Sequence, residues 1–207
     1  CAANMLHTPV GVEIVKNDTD KSAVYIGFGE VTVTVGLEER SVFRPCREER
    51  YFNGELLAER EIKEFDQYGN PLHIVATGQP ETCYVWRYRG MYPVAEIRGA
   101  SYEQVAAALR DRDDADDIPD SAFMNILNGL RDDLPGALVS TYTYRPMVGM
   151  TSATDAAGRM KTFHYDAVGR LNAVKDDCGN LLETCEYGRK SLRMALPDAE
   201  NVSETVA

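Results

Sequence analysis

The chain has no apolar run that approaches the roughly 20 residues a membrane-spanning helix needs. It also has no cluster of basic residues, and its 33 Asp and Glu outnumber its 22 Lys and Arg, for a formal net charge of −11. Proteins that bind nucleic acids or anionic membranes use basic patches to offset phosphate charge. The sequence therefore predicts no transmembrane segment and no nucleic-acid partner.

Groups that carry out catalysis are also scarce. The sequence contains three histidines, no glycine-rich phosphate-binding loop and no zinc-protease motif. His164 lies between Phe163 and Tyr165 on a predicted strand, where its ring should point to the opposite face from both aromatics. We interpret it as an ordinary strand histidine. The sequence thus predicts no catalytic residue, no cofactor and no metal site, and a protein that is not an enzyme.

The cysteines show neither the spacing of a metal site nor the pattern of a disulfide framework. The five cysteines are Cys1, Cys46, Cys83, Cys178 and Cys185. Their number is odd and no two have the spacing of a close metal-ligand pair. The pattern predicts small buried side chains or idle thiols, and no disulfide framework.

Cys1 is a separate case. It is followed by Ala2-Ala3-Asn4, which is how a bacterial lipoprotein begins once its signal peptide has been cut and the cysteine acylated. The alternative is that Cys1 is an arbitrary fragment boundary. Cys1 is therefore a candidate lipidation site and the possible lipid anchor of the protein.

The feature that the chain does have is repetition. Three Asp-x-x-Gly units follow one another at Asp155–Gly158, Asp166–Gly169 and Asp176–Gly179. In such a unit the Asp side chain binds nearby backbone amides and the Gly takes the positive φ of a tight turn. Tyrosine recurs at nearly constant spacing through the same region, at Tyr144, Tyr165 and Tyr187. This pattern predicts a meandering sheet in which an aromatic returns on every second strand.

The turns also predict which side chains meet. The second turn closes if Asp166 pairs with Arg170, and Tyr165 then lies opposite Leu171. Closing the third turn in the same way, at its own first and fifth residues, places Cys185 beside Leu171 on the same face. Cross-strand contacts of this kind stabilise a sheet, so we interpret the repeated tyrosines as structural.

These residues carry a resemblance. The matching segments are Phe163–Leu171 (FHYDAVGRL), Val174–Asp176 with Gly179-Asn180, Phe65–Pro71 (FDQYGNP), Tyr84–Tyr88 (YVWRY), Tyr92–Ala95 and Tyr142–Pro146 with Val148–Ser152. Together they resemble the YD repeats of the bacterial Rhs family. The resemblance implies strip-like β-sheets that coil into a shell around a cargo or form stalks outside the cell. Some Rhs shells release a toxin by cleavage at an Asp-Pro motif, and this chain has no Asp-Pro dipeptide.

The predicted fold is mainly β: an antiparallel meandering sheet of YD-repeat hairpins with an inserted two-helix hairpin. We divide the chain into an N-terminal β region (1–60), first YD-like hairpins (61–100), a helical hairpin insert (101–135), YD-repeat hairpins (136–188) and a polar C-terminal tail (189–207). The N-terminal strands are predicted at Val10–Val15, Ala23–Phe28, Val31–Val35, Phe43–Phe52 and Glu55–Phe65, in one or two sheets, with Asn53-Gly54 as a hairpin turn. A further hairpin would set His73 opposite Trp86 if Thr77 pairs with Thr82.

Two helices are predicted within the insert. Ser101-Tyr102-Glu103-Gln104 has the form of a capping box and opens the first helix. The second begins near Pro119, a favoured first helical residue, and ends at Pro135-Gly136. Its apolar stripe consists of Phe123, Ile126, Leu127, Leu130 and Leu134. Such a stripe needs a partner surface, most simply the β-sheet.

The acidic segment Asp111–Asp117 lies between these helices. Its carboxylates suggest a calcium site, but an EF-hand loop starting at Asp111 would need different residues at Ala115, Asp116 and Ala122. We interpret it as a solvated interhelix loop, with a weak surface calcium site as the alternative.

The sequence predicts a non-enzymatic structural or adhesive module of the Rhs/YD type, located outside the cell or on its surface. One alternative is a carbohydrate-binding surface protein, in which Trp86, Tyr88, Tyr92 and Tyr142, with Tyr144, form an exposed aromatic platform for sugar rings. Its partners would then be carbohydrate or another cell-surface protein. The other alternative is an inactive remnant of a toxin-encapsulating shell, which bare strand edges near the C-terminus would favour.

Overall fold

The protein is mainly β over the residues that the computed structural model describes, which are 11–16, 20–109 and 118–187. The strands are β1 (Gly11–Lys16), β2 (Asp20–Val35), β3 (Glu38–Phe52), β4 (Glu55–Phe65), β5 (Pro71–Ala76), β6 (Thr82–Arg87), β7 (Tyr92–Arg98), β8 (Leu138–Arg145), β9 (Gly149–Thr154), β10 (Met160–Tyr165), β11 (Leu171–Asp176) and β12 (Leu181–Thr184). The helices are α1 (Tyr102–Leu109) and α2 (Asp120–Asp133), both between β7 and β8.

All twelve strands form one antiparallel sheet whose spatial order is the order of the sequence. Each strand therefore pairs with the strands before and after it, and β1 and β12 are open edges within the described residues. This confirms the predicted meander with its helical insert, and it selects one sheet where one or two were expected. No helix in the described part of the chain is long and apolar enough to cross a membrane.

The N-terminal strands are longer than predicted. The strands predicted at Ala23–Phe28 and Val31–Val35 form the single strand β2, because a bulge between Gly27 and Phe28 bends the strand without ending it. The Asn53-Gly54 turn is confirmed between β3 and β4. Asn53 has φ +49° and Gly54 has φ +85°, the pair of positive angles that a two-residue hairpin turn of this type requires.

The capping box of α1 forms as predicted. The amide of Ser101 donates to Gln104 Oε1 (2.9 Å), and the amide of Gln104 donates to Ser101 Oγ (3.3 Å). At α2 the prediction was one residue early, because Pro119 has ψ +142° and is the residue before the helix. Proline is tolerated at this boundary because it has no backbone N–H, and an N–H at the start of a helix has no acceptor within the helix.

The main core lies between the insert and the middle of the sheet. Phe123, Leu127 and Leu130 of α2 are at most 1% exposed, and they share one cluster with Ile97 and Val139. Burial of each large apolar side chain contributes about 1.5–3 kcal/mol. Ile97 and Val139 are also direct cross-strand partners on β7 and β8. The insert thus interrupts the sequence between two adjacent strands without interrupting the sheet.

The predicted hairpin partner of His73 was wrong. His73 pairs with Cys83, and Trp86 pairs with Pro93. The reason is that the β5–β6 turn closes earlier than predicted, with the amide of Gln79 donating to Ala76 O (3.1 Å). Thr77 lies in this turn and bonds to β4: its amide donates to Glu59 O (2.8 Å) and its hydroxyl accepts from the Glu59 amide (3.0 Å). His73 therefore pairs three residues earlier on β6 than a closure between Thr77 and Thr82 would give.

Leu127→Asp should destabilise the protein by more than about 3 kcal/mol, because it places an unpaired charge in the main core. The matched control is Asn125→Asp on the exposed side of the same helix, which should leave the melting temperature nearly unchanged. Thermal unfolding of the two variants measures the difference. Equal melting temperatures would contradict the assignment of α2 as the cover of the sheet.

Candidate functional site

Four turns of the sheet share one hydrogen-bond design, which we call the Asp turn. They start at Asp66, Asp155, Asp166 and Asp176. In each, the Asp amide donates to the carbonyl of the fifth residue (2.8–3.0 Å), and the glycine amide donates to the Asp carbonyl (2.9–3.1 Å). The Asp Oδ1 accepts from the fifth residue's amide at 2.7–2.9 Å. One carboxylate thus ties both ends of the turn together.

The fifth residue closes the Asp turn a second time through its side chain. This residue is Asn70, Arg159, Arg170 or Asn180, and its side-chain nitrogen donates to Asp Oδ2 at 2.8–3.0 Å. The glycines have φ between +79° and +83°, a region that suits residues without a Cβ. Sequence reasoning identified fifth residues only as closing positions of the strand register. The signal it missed is that the fifth position is always Asn or Arg.

These hydrogen bonds also stabilise the ionised carboxylates. The backbone amide of Arg159 and then its side chain lower the pKa of Asp155, and the amide of Arg170 lowers the pKa of Asp166. For Asp176, the side chain of Asn180 is the largest cause of a lowered pKa. A carboxylate that accepts several N–H bonds is favoured over its neutral form.

The Asp turn at Asp166 sets the register that was predicted, with Tyr165 opposite Leu171. The Asp turn at Asp176 does not place Cys185 beside Leu171. A bulge on the β11–β12 ladder, between Val174 and Lys175, shifts the pairing by one residue, so the amide of Cys185 donates to Asn172 O (3.0 Å). Because the side-chain period of a strand is two, this shift changes the face that Cys185 shares.

The three spaced tyrosines have different contacts. The hydroxyl of Tyr165 donates to Met150 O (2.7 Å), and its ring covers Gly149, where a Cβ would collide with it. Tyr144 stacks on another ring of the sheet, whereas Tyr187 is half exposed beneath the guanidinium of Arg170, 4.5 Å from the ring centroid. Tyr144 and Tyr165 lie on alternate strands, as the spacing predicts.

The aromatic platform is only partly assembled. Tyr92 stacks on Tyr144 with ring centroids 4.6 Å apart and meets Tyr88 edge-on at 5.8 Å. Burial raises the pKa of Tyr88 and of Tyr144 to about 12. All three rings are half-buried, and part of their surface is covered by one another.

Trp86 and Tyr142 lie apart from that stack. Trp86 contacts Tyr84, with ring centroids 6.5 Å apart, and its Nε1 donates to Pro71 O (2.8 Å). Tyr142 is half-buried, and its pKa is raised by burial and then by the charge of Glu96. The structure therefore brings together Tyr88, Tyr92 and Tyr144, and gives Trp86 a structural hydrogen bond.

Two arginines that the sequence did not single out fasten the insert to the sheet. Arg87 is 5% exposed; its Nε lies 3.3 Å from Asp120 Oδ1, and its guanidinium lies 4.6 Å from the ring centroid of Phe123. Arg131 donates to Val139 O (2.9 Å) and to Asp155 O (3.4 Å). These contacts join residues in different elements, from 8 to more than 30 positions apart, so no local pattern indicates them.

Thiols and carboxylates offer little further chemistry in the described ranges. Cys46, Cys83, Cys178 and Cys185 are free, and burial raises the pKa of the Cys83 thiol to about 11. Asp176, Asp177 and Cys178 have ligand atoms within 4.8 Å of one another. The carboxylate of Asp176, however, already accepts both bonds of its Asp turn. Cys1 and Asp111–Asp117 lie outside the described residues, so lipidation and calcium binding stay predictions.

The fold and the turns define a class: an open antiparallel meander in which four of the hairpin connections are Asp turns. No protein-family model and no curated protein matches the chain. Among solved structures, the TcdB2-TccC3 crystal structure is 10% identical with a TM-score of 0.37, and the Photorhabdus luminescens Tc holotoxin pore is 10% identical with a TM-score of 0.38. Each alignment covers 83% of this chain and 9% of the other. The chain thus spans about a tenth of those proteins.

Gly169→Ala should destabilise the protein by about 1 kcal/mol, because Gly169 has φ +81° and a Cβ disfavours that conformation. Gly129→Ala in α2 is the matched control. No atom lies within 4 Å of the Cβ it would gain, so alanine there should stabilise the helix by about 0.5–1 kcal/mol. Denaturant unfolding gives both values. A stabilising Gly169→Ala would contradict the assigned turn conformation.

Acid should weaken the Asp turns. Because the folded-state pKa values of Asp155, Asp166 and Asp176 are lowered, their contribution is present above the ordinary Asp pKa of about 3.9 and is lost as pH falls through the folded values. The melting temperature of the parent should therefore fall more steeply below about pH 4 than that of the triple Asp→Asn variant, whose amides do not titrate. Parallel curves would refute this linkage.

Proposed function

We propose that this chain is a non-enzymatic structural module of the Rhs/YD-repeat type, exposed outside the cell. The observation that carries the proposal is the repeated Asp turn in a sheet whose strand order equals its sequence order. Each hairpin is closed by its own residues and packs mainly on its neighbours. This is the design of quasi-one-dimensional proteins, which are lengthened by adding units.

The open edges of the sheet support a role as one segment of a longer β-sheet strip. In the described residues β12 pairs only with β11, and its residues Leu181 and Leu182 are 58% and 51% exposed. Unpaired strand edges present backbone donors and acceptors that another strand can bind. A bare strand edge near the C-terminus was the feature expected of an inactive remnant of a toxin-encapsulating shell, so the edge of β12, as far as the described residues go, supports keeping that alternative.

The state of the aromatics argues against a carbohydrate platform as the main role. Sugar-binding rings need an open face, and Tyr92 and Tyr144 present their faces to each other. Tyr142 is the best remaining candidate, because it lies outside that stack. Carbohydrate binding therefore stays as the second candidate function.

The most buried thiol of the described residues is not a candidate nucleophile. Cys83 is 1% exposed and its pKa is about 11, so it is protonated at neutral pH. A thiol must be ionised to act as a nucleophile. His73, its cross-strand partner, is bonded through Nε2 to Glu81 (3.0 Å) and stacks on Tyr102.

Protease treatment of intact producing cells tests the external location. We expect an antibody against this chain to lose its signal before lysis, while a cytoplasmic marker survives. A signal that persists until lysis would contradict exposure.

Cys1→Ser expressed from the same locus should move the protein from the membrane fraction to the soluble fraction if Cys1 carries the anchor.

Glycan-array binding separates the two candidate functions. The structural role predicts no saturable binding by the parent. Binding by the parent that Tyr142→Ala abolishes, with an unchanged melting temperature, would replace the structural proposal with the carbohydrate-binding one.

A further inference from the structure

The described part of the chain contains the dipeptide Asn-Gly twice, in two different backbone settings. Asn53-Gly54 is the turn between β3 and β4, and Asn128-Gly129 lies inside α2. In this dipeptide the glycine amide nitrogen can attack the asparagine side chain, because glycine has no Cβ to obstruct the approach. The local sequence is the same, so any difference in reactivity comes from the fold.

Asn53 lies at the exposed tip of a hairpin. Both turn residues are exposed and lie outside the strand ladder, and no atom lies within 4 Å of the Cβ that Gly54 lacks. Asn53 is held by two hydrogen bonds to one residue: its amide donates to Lys21 O and its Oδ1 accepts from the Lys21 amide, both at 2.8 Å. Fraying of a hairpin tip requires only a small local opening.

Asn128 is also exposed, so solvent access does not separate the two sites. Backbone constraint does. Asn128 lies between Leu127 and Leu130, both 0% exposed, in the helix that covers the sheet. Its Oδ1 accepts from Arg131 Nη1 (2.7 Å) and Thr141 Oγ1 (3.3 Å). The attack requires a non-helical ψ at Asn128, which would unwind α2 and break the main core.

We propose that Asn53 is a site of spontaneous covalent modification, converted to aspartate and isoaspartate through a cyclic imide, and that the fold protects Asn128 from the same reaction. The substrate is the chain itself, with water as the only co-reactant. No oxidation or reduction is involved.

The atoms balance in two steps. The Gly54 amide loses its proton to base, and its nitrogen forms a bond to Asn53 Cγ as the Cγ–Nδ2 bond breaks and ammonia leaves with a proton. Water then opens the imide ring. Cleavage of the bond between Cγ and the Gly54 nitrogen gives an ordinary aspartate, and cleavage at the main-chain carbonyl gives isoaspartate. The net reaction is asparagine plus water to aspartate or isoaspartate plus ammonia.

The two products differ in their fit to the hairpin. Aspartate keeps an Oδ1 acceptor for the Lys21 amide, so the contact between β2 and the turn survives. Isoaspartate carries the main chain through the side-chain carbon and lengthens it by one carbon. The closing pair of the hairpin, Phe52 with Glu55, must then shift. The aspartate product is compatible with the native fold and the isoaspartate product loosens the β3–β4 hairpin.

The test is peptide mapping by mass spectrometry after incubation of the full chain in mildly alkaline buffer, with isoaspartate assigned by isoaspartyl methyltransferase labelling. A parallel sample is incubated in concentrated urea, where the fold is lost. In the native sample we expect Asn53 to convert at least about tenfold faster than Asn128, since a hairpin tip opens more readily than a packed helix. In urea the two rates should agree within about twofold, because only the shared local sequence remains.

Equal native rates, or no native conversion at Asn53, would overturn the proposal. So would the same rate difference in urea, because the fold would then not be its cause. Asn53→Asp provides a stability control: its melting temperature should match the parent's, since the acceptor for the Lys21 amide is retained. A large loss of stability in that variant would refute the predicted fit of the aspartate product.

Discussion

The sheet depends on the local closure of its hairpins by carboxylates. An open meander has no second sheet against which most strands can pack, so the entropy of each chain reversal must be offset within the turn itself. The Asp turn does this with one side chain that accepts two or more N–H donors and faces the amide or guanidinium of the fifth residue. The same device closes four connections of the described sheet: β4–β5, β9–β10, β10–β11 and β11–β12.

A second constraint acts only in the middle of the sheet. The large fully buried side chains of the described residues concentrate where α1 and α2 cover β6–β8, and two arginines fasten α2 to the strands beneath it. The helical insert thus gives the strip a conventional two-layer core without adding a strand. Because β7 and β8 pair directly, the insert is an addition to the meander and not a break in it.

The N-terminal strands are held differently. Arg47 lies 2.8 Å from both Glu49 and Glu59, in a ladder of exposed ion pairs that contributes little stability per pair. The far end of the β2–β3 hairpin rests instead on the first Asp turn: the amide of Thr34 donates to Gln67 O, and Val33, 6% exposed, touches Gly69. The Asp turn therefore serves as a packing surface as well as a closure.

Sequence alone determined the features that depend on a few neighbouring residues. The Asp-x-x-Gly turns, the Asn53-Gly54 hairpin, the capping box at Ser101 and the apolar stripe of α2 were all predicted, because each rests on local hydrogen bonds or on side-chain periodicity.

Tertiary structure decided the rest. Cross-strand bulges moved Cys185 by one residue and merged two predicted strands into β2. Closure of the β5–β6 turn between Ala76 and Gln79, beside β4, paired His73 with Cys83 instead of Trp86. Tyr88, Tyr92 and Tyr144, part of the platform considered as an alternative, pack against one another instead of presenting open faces. Arg87 and Arg131 bind the helical insert to the sheet. Each of these outcomes is set by contacts between residues distant in the chain, which compete with local preference and leave no local pattern.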